Sequence, residues 1–440
     1  MATDSQRSFD YLYGLQSHGI KPGLSRTIVL LGALGNPHNS FRAFHVGGTN
    51  GKGSTAVMLA SVLVGQGYRV GLYTSPHLVD FTERIRVNGV PIPHDRVWEL
   101  TKAVRYAADT RLPEPPTFFE ATTALAFAYF AEMGVEYAVV EVGLGGRFDA
   151  TNVLIPVVSV ITTVGLDHQQ YLGHTLEAIA GEKAGIVKSG VPVVTGRLEE
   201  GPLSVVRERA AAQGAFCFSL GHDFDFVEES PDRFSYRGIS RAYEGLSLPL
   251  AGRHQMDNAA CALAALEMAI ERGVAVGEGT IRDGFRTVRW PGRLELVGRR
   301  PDVLLDGAHN PQAAGVLAAY LTTLQARRAA SEAGHLIFVV GMMRDKDIGG
   351  VLARLTAIPG VSRLILTRSA HPRAADPEDL AQEGAHLGVP ILIGSTVGEA
   401  LARARTLAGP DDTICVTGSL LVVGEVKAIL DGTTVSALKG

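Results

Sequence analysis

Short apolar runs alternate with amphipathic stretches along nearly the whole chain. Segments 43–47, 69–73, 136–141, 157–162 and 191–195 read as strands. Several are apolar on both faces, as in Tyr137-Ala-Val-Val-Glu141 and Val157-Val-Ser-Val-Ile161. That is the signature of a parallel sheet covered by helices on both sides. Between them the spacing predicts helices over 54–66, 95–109, 119–133, 175–187 and 202–213. A helical segment from Ser8 to Gln16 precedes them and leads into an apolar stretch through Leu34. From Phe216 to Leu250 the runs become shorter and more polar, which predicts a small antiparallel patch, and a helix follows from His254 to Arg272. Pro and Gly then punctuate the chain at Arg289-Trp-Pro-Gly-Arg293, the best domain boundary. Beyond it the alternation restarts, with strands at 302–306, 335–340, 363–367, 389–393 and 412–416. Helices are predicted at 311–326, 348–356, 376–387, 396–407 and 419–429. The expected organisation is two α/β domains, residues 1–290 and residues 291–440.

The bulk numbers agree with this division and narrow the function classes. A chain of 440 residues exceeds what one core usually serves. Hydrophobic content of 46% and charged content of 20% lie far from the disordered regime. The formal net charge of −4 provides no general basic field, so nucleic acid is not an expected partner and an anionic ligand must be held by local groups. Cys217, Cys261 and Cys415 are too few and too dispersed for a disulfide framework or a metal cluster, and a reducing, cytoplasmic setting is expected. Met1 to Asp10 lacks the apolar core of a signal peptide, and no run of 18 apolar residues predicts a membrane span.

The densest chemical signal is Phe44-His-Val-Gly-Gly-Thr-Asn-Gly-Lys-Gly-Ser-Thr55, between a strand and a helix. Its glycines allow a sharp turn in which successive N–H groups share one concavity. A helix N-terminus adds positive potential, and Lys52 adds a mobile cation, making a polyphosphate cradle. The run departs from G-x-x-x-x-G-K-[ST]: Val46 stands where the first Gly belongs, and Gly53 separates Lys52 from Ser54.

Ligands of open α/β sheets bind beyond the carboxyl ends of the strands. Ser75, in Tyr73-Thr-Ser-Pro-His77, is a hydroxyl ligand for a metal or part of a Ser-Pro turn. Glu141 ends a strand and needs a cation or donors, either Mg²⁺ or an arginine. His168 closes Thr162-Thr-Val-Gly-Leu-Asp-His168 at the same edge. Lys183 and Lys188 lie on the following helical segment, where a solvated lysine is the ordinary reading. In the second domain, Leu304-Leu-Asp-Gly-Ala-His-Asn310 places Asp306, His309 and Asn310 just after a strand. They suit a nucleotide sugar or phosphate, and Asn310 with Pro311 also suits a capped helix start. Arg293, near the boundary, suits a transferring phosphate or solvent.

Taken together, these segments resemble the Mur ligase family of ATP-dependent amide-bond ligases, and within it the folylpolyglutamate synthase and bifunctional dihydrofolate synthase group. The matching stretches include Gly48-Thr-Asn-Gly-Lys-Gly-Ser54, Thr74-Ser-Pro-His-Leu78, Thr117-Phe-Phe-Glu120, Glu141-Val-Gly-Leu-Gly-Gly-Arg147, Asp149-Ala-Thr-Asn152, Glu182-Lys-Ala-Gly-Ile186, His254-Gln-Met-Asp-Asn258, Trp290-Pro-Gly-Arg-Leu-Glu295 and Asp306-Gly-Ala-His-Asn-Pro311. The resemblance implies an N-terminal P-loop ATPase domain, with a mostly parallel sheet flanked by helices plus a small antiparallel patch. A smaller C-terminal Rossmann-like glutamate ligase domain follows, with the site between the two.

Residue by residue, the resemblance implies that Asn50, Gly51, Lys52, Gly53 and Ser54 hold the phosphates of ATP. Asn258 contacts the base, Arg293 a phosphate and Asp306 the ribose, with His309 nearby. Two Mg²⁺ sites are implied, Ser54 with Glu141, and Ser75 with Glu141 and His168. Lys183 matches a lysine that the family carbamylates. The pterin site is implied around Leu24 to Arg26, Thr117, Phe118, Phe119 and Glu120, and Phe148, Asp149 and Ala150. Catalysis then falls to Lys52, Lys183 and Arg293. The implied substrates are ATP, L-glutamate, and a folate or dihydropteroate, and the implied enzyme is a monomer. Two other readings stand beside it: a cell-wall ligase acting on a nucleotide-linked substrate, opposed by Phe118-Phe119-Glu120 and the segment Gly23-Leu-Ser-Arg26, and a nucleotide-dependent switch without ligase chemistry.

Overall fold

The computed structural model describes residues 4–19, 21–327, 334–433 and 435. The chain divides into two compact units, Met1–Ser75 with Thr82–Arg289, and Pro76–Phe81 with Trp290–Gly440. The return of Pro76–Phe81 to the second unit has no counterpart in the sequence pattern. Leu78 is buried with Val422, Val423 and Val426 in the core of that unit, and Val79 packs against the same cluster. Two adjacent apolar residues have no periodicity to detect.

The first unit is built on one sheet of eight strands: β1 (Arg42–Gly47), β2 (Val70–Tyr73), β3 (Ile85–Val87), β4 (Val90–Pro91), β5 (Tyr137–Glu141), β6 (Val158–Ile161), β7 (Val193–Thr195) and β8 (Cys217–Ser219). Their order is β4-β3-β2-β5-β1-β6-β7-β8. Pairings from β2 across to β8 are parallel, while β3 and β4 add an antiparallel edge. Both faces of β2, β5 and β6 are buried, as their apolar sequences require. The helix Lys52–Gly65 leaves β1 and packs against the helices Arg253–Glu271 and Glu278–Thr287.

Two local expectations are corrected, and one helix is added. The stretch from Phe216 does not open an antiparallel patch: β8 pairs in parallel with β7. It is a half-buried edge strand and so lacks a doubly apolar signature. Only β9 (Asp225–Ser230), β10 (Arg233–Arg237) and β11 (Ala242–Ser247) form the antiparallel sheet. The helix expected over 175–187 spans Leu176–Ala184, with Gly185 as its C-cap. The helix Glu278–Thr287, unread in the sequence, contains two glycines and buries only Ile281, Gly284 and Phe285.

The second unit carries β12 (Glu295–Gly298), β13 (Asp302–Leu305), β14 (Leu336–Val340), β15 (Val361–Leu366), β16 (Ile391–Ile393) and β17 (Thr413–Thr417) in the order β12-β13-β17-β14-β15-β16. All its pairings are parallel except that of β12 with β13. Among the described residues no helix is long and apolar enough to cross a membrane.

Candidate active site

Position in the sheet explains why the chemistry gathers where it does. β1 lies between β5 and β6, and its register sets Val46 beside Glu141 and Gly47 beside Ile161. The glycine-rich run therefore leaves the sheet flanked by two strand ends. Gly51 takes φ 86° and precedes the helix Lys52–Gly65, and no described side chain caps that end. A Cβ there would lie 2.2 Å from Asn258 Oδ1, so both backbone and space demand glycine. Asn258 thereby abuts the loop, and its Nδ2 donates to Gln255 Oε1 at 3.1 Å. Uncapped first-turn amides, among them those of Gly53 and Ser54, suit an anion.

Threonines after β6 clamp this loop. Thr49 N donates to Thr163 O at 2.8 Å, and Asn50 N donates to Thr163 Oγ1 at 2.9 Å. The hydroxyls of Thr162 and Thr163 both donate to Asn50 O, at 2.6 and 3.1 Å. Lys52 Nζ donates to Gly48 O at 3.1 Å and Thr49 O at 3.0 Å, which keeps the ammonium over the loop it serves.

Glu141 is buried, and its Oε2 accepts the N–H of Ser75 at 2.9 Å. The structure thus joins two metal-ligand candidates that lie far apart in the chain. Arg84, a buried residue the sequence did not single out, sits over the Phe118 ring at 5.2 Å and interacts electrostatically with Glu141. His168 adopts the left-handed region with φ 51°, and its Nε2 lies 3.8 Å from Asp167 Oδ1. Lys183 is 3% exposed. Burial, reinforced by the Lys52 charge and opposed by Asp167, lowers its amine from 10.5 to about 7. Lys52 and Lys183 are therefore neighbours whose like charges disfavour each other.

Among the described residues no three His, Cys, Asp or Glu side chains converge on a metal position by themselves. The donors read from the sequence are mixed: the hydroxyls of Ser54 and Ser75, the Glu141 carboxylate and the His168 imidazole. Oxygen donors with one buried carboxylate fit Mg²⁺, which keeps several waters of its own.

Residues expected around the pterin are tied into the scaffold. Leu24 precedes the helix Ser25–Ala33. Arg26 Nε donates to both Glu120 oxygens, at 3.0 and 3.1 Å. Thr117 and Glu120 form a capping box on the helix Phe118–Glu132. Phe118 stacks on Tyr13, and Phe119 fills the space over Gly143. Asp149 is buried, which pushes its carboxyl up, yet it accepts the N–H groups of Gly143, Leu144 and Thr151. Ala150 is buried, whereas Phe148 leaves an aromatic ring half exposed beside this framework. Glu120→Ala breaks the ion pair and the capping box together. It is expected to destabilise the first unit by about 3 kcal/mol, read as a lower urea midpoint for its unfolding.

In the second unit, Asp306 follows β13. Its Oδ2 accepts Leu294 N–H and its Oδ1 accepts Ala308 N–H, both at 3.0 Å. Burial raises its carboxyl and the neighbouring Arg293 opposes the shift. Arg293 lies against Gly307, whose added Cβ would stand 2.2 Å from Nη1. His309 Nδ1 donates to Gly307 O at 2.8 Å, which fixes the proton on that nitrogen. Asn310 Oδ1 accepts Ala313 N–H at 2.9 Å, so it caps the helix Pro311–Arg327.

The geometry has clear relatives. The Mur ligase middle domain matches residues 46–266, and the Mur ligase glutamate ligase domain matches residues 292–420. A dihydrofolate synthase/folylpolyglutamate synthase of Bacillus subtilis (strain 168) is 37% identical, over 97% of this chain and 99% of that protein. Among solved structures, Escherichia coli FolC in complex with DHPP and ADP superposes with a TM-score of 0.88 at 35% identity, over 98% of each chain. A bifunctional folylpolyglutamate synthase/dihydrofolate synthase with Mn, AMPPNP and L-glutamate bound gives a TM-score of 0.85 at 32% identity, over 96% of this chain and 98% of that one. The likeness runs through both units, and the chain belongs to the Mur ligase family, in its folylpolyglutamate synthase/dihydrofolate synthase branch.

Proposed function

We propose that this chain is an ATP-dependent ligase that joins L-glutamate to folates and to dihydropteroate through an acyl phosphate. One observation carries most weight: an uncapped helix start with Lys52 over its loop, flanked by Glu141 on one strand end and the threonine clamp on the other.

A carboxylate is a poor electrophile at neutral pH. Transfer of the γ-phosphoryl of ATP onto it gives a mixed anhydride with a good leaving group. The amine of glutamate then attacks the carbonyl, and amide, ADP and phosphate result. Phosphoryl transfer asks for positioning and neutralised charge. Asn50, Gly51, Lys52, Gly53 and Ser54 bind the phosphates and Asn258 holds the base; for the second unit, the family resemblance assigns ATP contacts to Arg293, Asp306 and His309. Ser54, Ser75, Glu141 and His168 would hold divalent metal as two ions, Ser54 with Glu141 and Ser75 with Glu141 and His168. Metal bound there supplies further charge neutralisation at the phosphates. The Ser75 N–H on Glu141 Oε2 orients that carboxylate. Residues 1–290 then form the ATPase domain with the pterin site, and residues 291–440 the glutamate ligase domain.

Lys183 is suited to carbamylation. An amine lowered to about 7 is substantially neutral at physiological pH. Its Nζ lone pair bonds to the carbon of CO₂, one C=O pair moves onto oxygen, and one proton leaves to water. The resulting anion turns the repulsion between Lys183 and Lys52 into attraction.

The test is ATP-dependent incorporation of labelled glutamate, run separately with dihydropteroate and with tetrahydrofolate. Incorporation with matching ADP release is expected for both acceptors. ATP turnover indifferent to glutamate would replace the ligase with a nucleotide switch.

A further inference from the structure

The turn Ala150–Val153 follows the loop that carries Phe148, and it is held from two sides. Thr151 donates its hydroxyl proton to Asp149 Oδ1. Its oxygen therefore accepts from His45 Nε2–H, at 2.8 Å. His45 lies on β1, fully buried, and burial with the nearby Lys188 charge drives its imidazole down to about 3, so it stays neutral. Three residues further on, β1 passes into the phosphate loop. The turn is thus fixed to the strand that feeds the nucleotide site.

Asn152 belongs to this fixed turn and is 5% exposed. Its Nδ2 donates to Arg147 O at 2.9 Å and to Gly185 O at 3.1 Å. Lys188 Nζ donates to its backbone carbonyl at 2.7 Å. Gly185 ends the helix Leu176–Ala184, two residues past Lys183. The same seam is closed by Arg147 N–H, which donates to Glu182 O at 2.8 Å. It is also closed by Gly146, whose added Cβ would lie 2.8 Å from the carbonyl oxygens of both Glu182 and Lys183.

We propose that Asn152 is a positioning residue for Lys183: its amide locks the end of the Lys183 helix onto a turn anchored to β1, and so sets where the Lys183 amine meets CO₂. The residue type follows from the contacts. One amide group reaches a loop carbonyl and a helix-end carbonyl at once. Aspartate would turn two acceptors against those carbonyls, and alanine would leave both unmet in a buried place. Asn152 touches no substrate in this role; it acts through the backbone that carries Lys183.

The proposal rests on the carbamate reading of Lys183, and its test separates the two. ¹³C-labelled bicarbonate is titrated at one pH into the wild-type protein and into the Lys183→Ala, Asn152→Ala and Asn152→Gln variants, with circular dichroism as the fold check. The carbamate resonance is followed by NMR. A wild-type resonance absent from Lys183→Ala is expected. Asn152→Ala should need about tenfold more bicarbonate for half its maximal signal, and saturating bicarbonate should return ligase activity. Asn152→Gln, which keeps the donors on a longer arm, should recover part of the affinity. A wild-type resonance with unaltered titration in both Asn152 variants would overturn the positioning role while leaving the carbamate in place. The absence of any wild-type resonance would remove the carbamate itself, and the positioning role with it. Failure of both Asn152 variants to fold would make the residue a scaffold element and overturn the proposal.

Discussion

Lys52→Ala is expected to lower glutamate ligation by about 10³-fold, roughly 4 kcal/mol of barrier, with little change in stability. The ammonium rests on two carbonyls of its own loop, Gly48 O and Thr49 O. Those contacts hold it in place rather than hold the fold together, since the loop is pinned independently by Thr162 and Thr163. Circular dichroism and the urea midpoint should therefore match wild type while turnover collapses. Retention of near-wild-type turnover would remove Lys52 from the chemistry. A second effect separates Lys52 from an ordinary phosphate ligand. Its charge contributes to lowering the Lys183 amine, so its loss should move the bicarbonate dependence of the protein toward higher pH. Burial, the larger cause, remains, and the movement should be partial.

Much of this site was legible because the signals are local. Apolar runs located β1, β5 and β6, and the polar residues just after them, Lys52, Glu141 and His168, marked the carboxyl edge of the sheet. The two-part α/β architecture followed from the same alternation. What escaped the sequence depends on partners far along the chain. Thr162 and Thr163 lay inside a segment weighed only for His168, because nothing local says that a hydroxyl will meet a loop more than a hundred residues away. Arg84 became visible only when folding set it over Phe118. Asn152 looked like one letter of a motif, and its two carbonyl partners are Arg147 nearby and Gly185 on another element. β8 was misread because half-buried edge strands carry a weaker pattern than central ones.

Lys183→Ala is expected to be inactive, with ligation down by about 10³-fold, and to regain a measurable part of its activity with short-chain carboxylates. The argument begins with the cost of its position. The amine titrates near 10.5 when unfolded and at about 7 when buried here. The unfolded chain therefore binds the proton more readily, and the folded protein loses stability as pH falls from about 10 toward 7, with no further loss from this group below that. Lys183→Ala should lack this slope, which denaturant titrations across the pH range in bicarbonate-free buffer will show. Carbamylation draws on the neutral amine of the folded protein and releases a further proton, so dissolved CO₂ should steepen the slope in the wild type and leave Lys183→Ala unchanged. At constant CO₂, occupancy should fall by up to about a hundredfold per pH unit below 7, since the amine must lose one proton and carbamate formation releases another. A short carboxylate in the vacated space restores the negative oxygens beside Lys52 but not their covalent tether. Rescue should therefore saturate with carboxylate concentration and stay below wild-type turnover. Full activity of Lys183→Ala without any carboxylate would show that the buried amine serves packing alone.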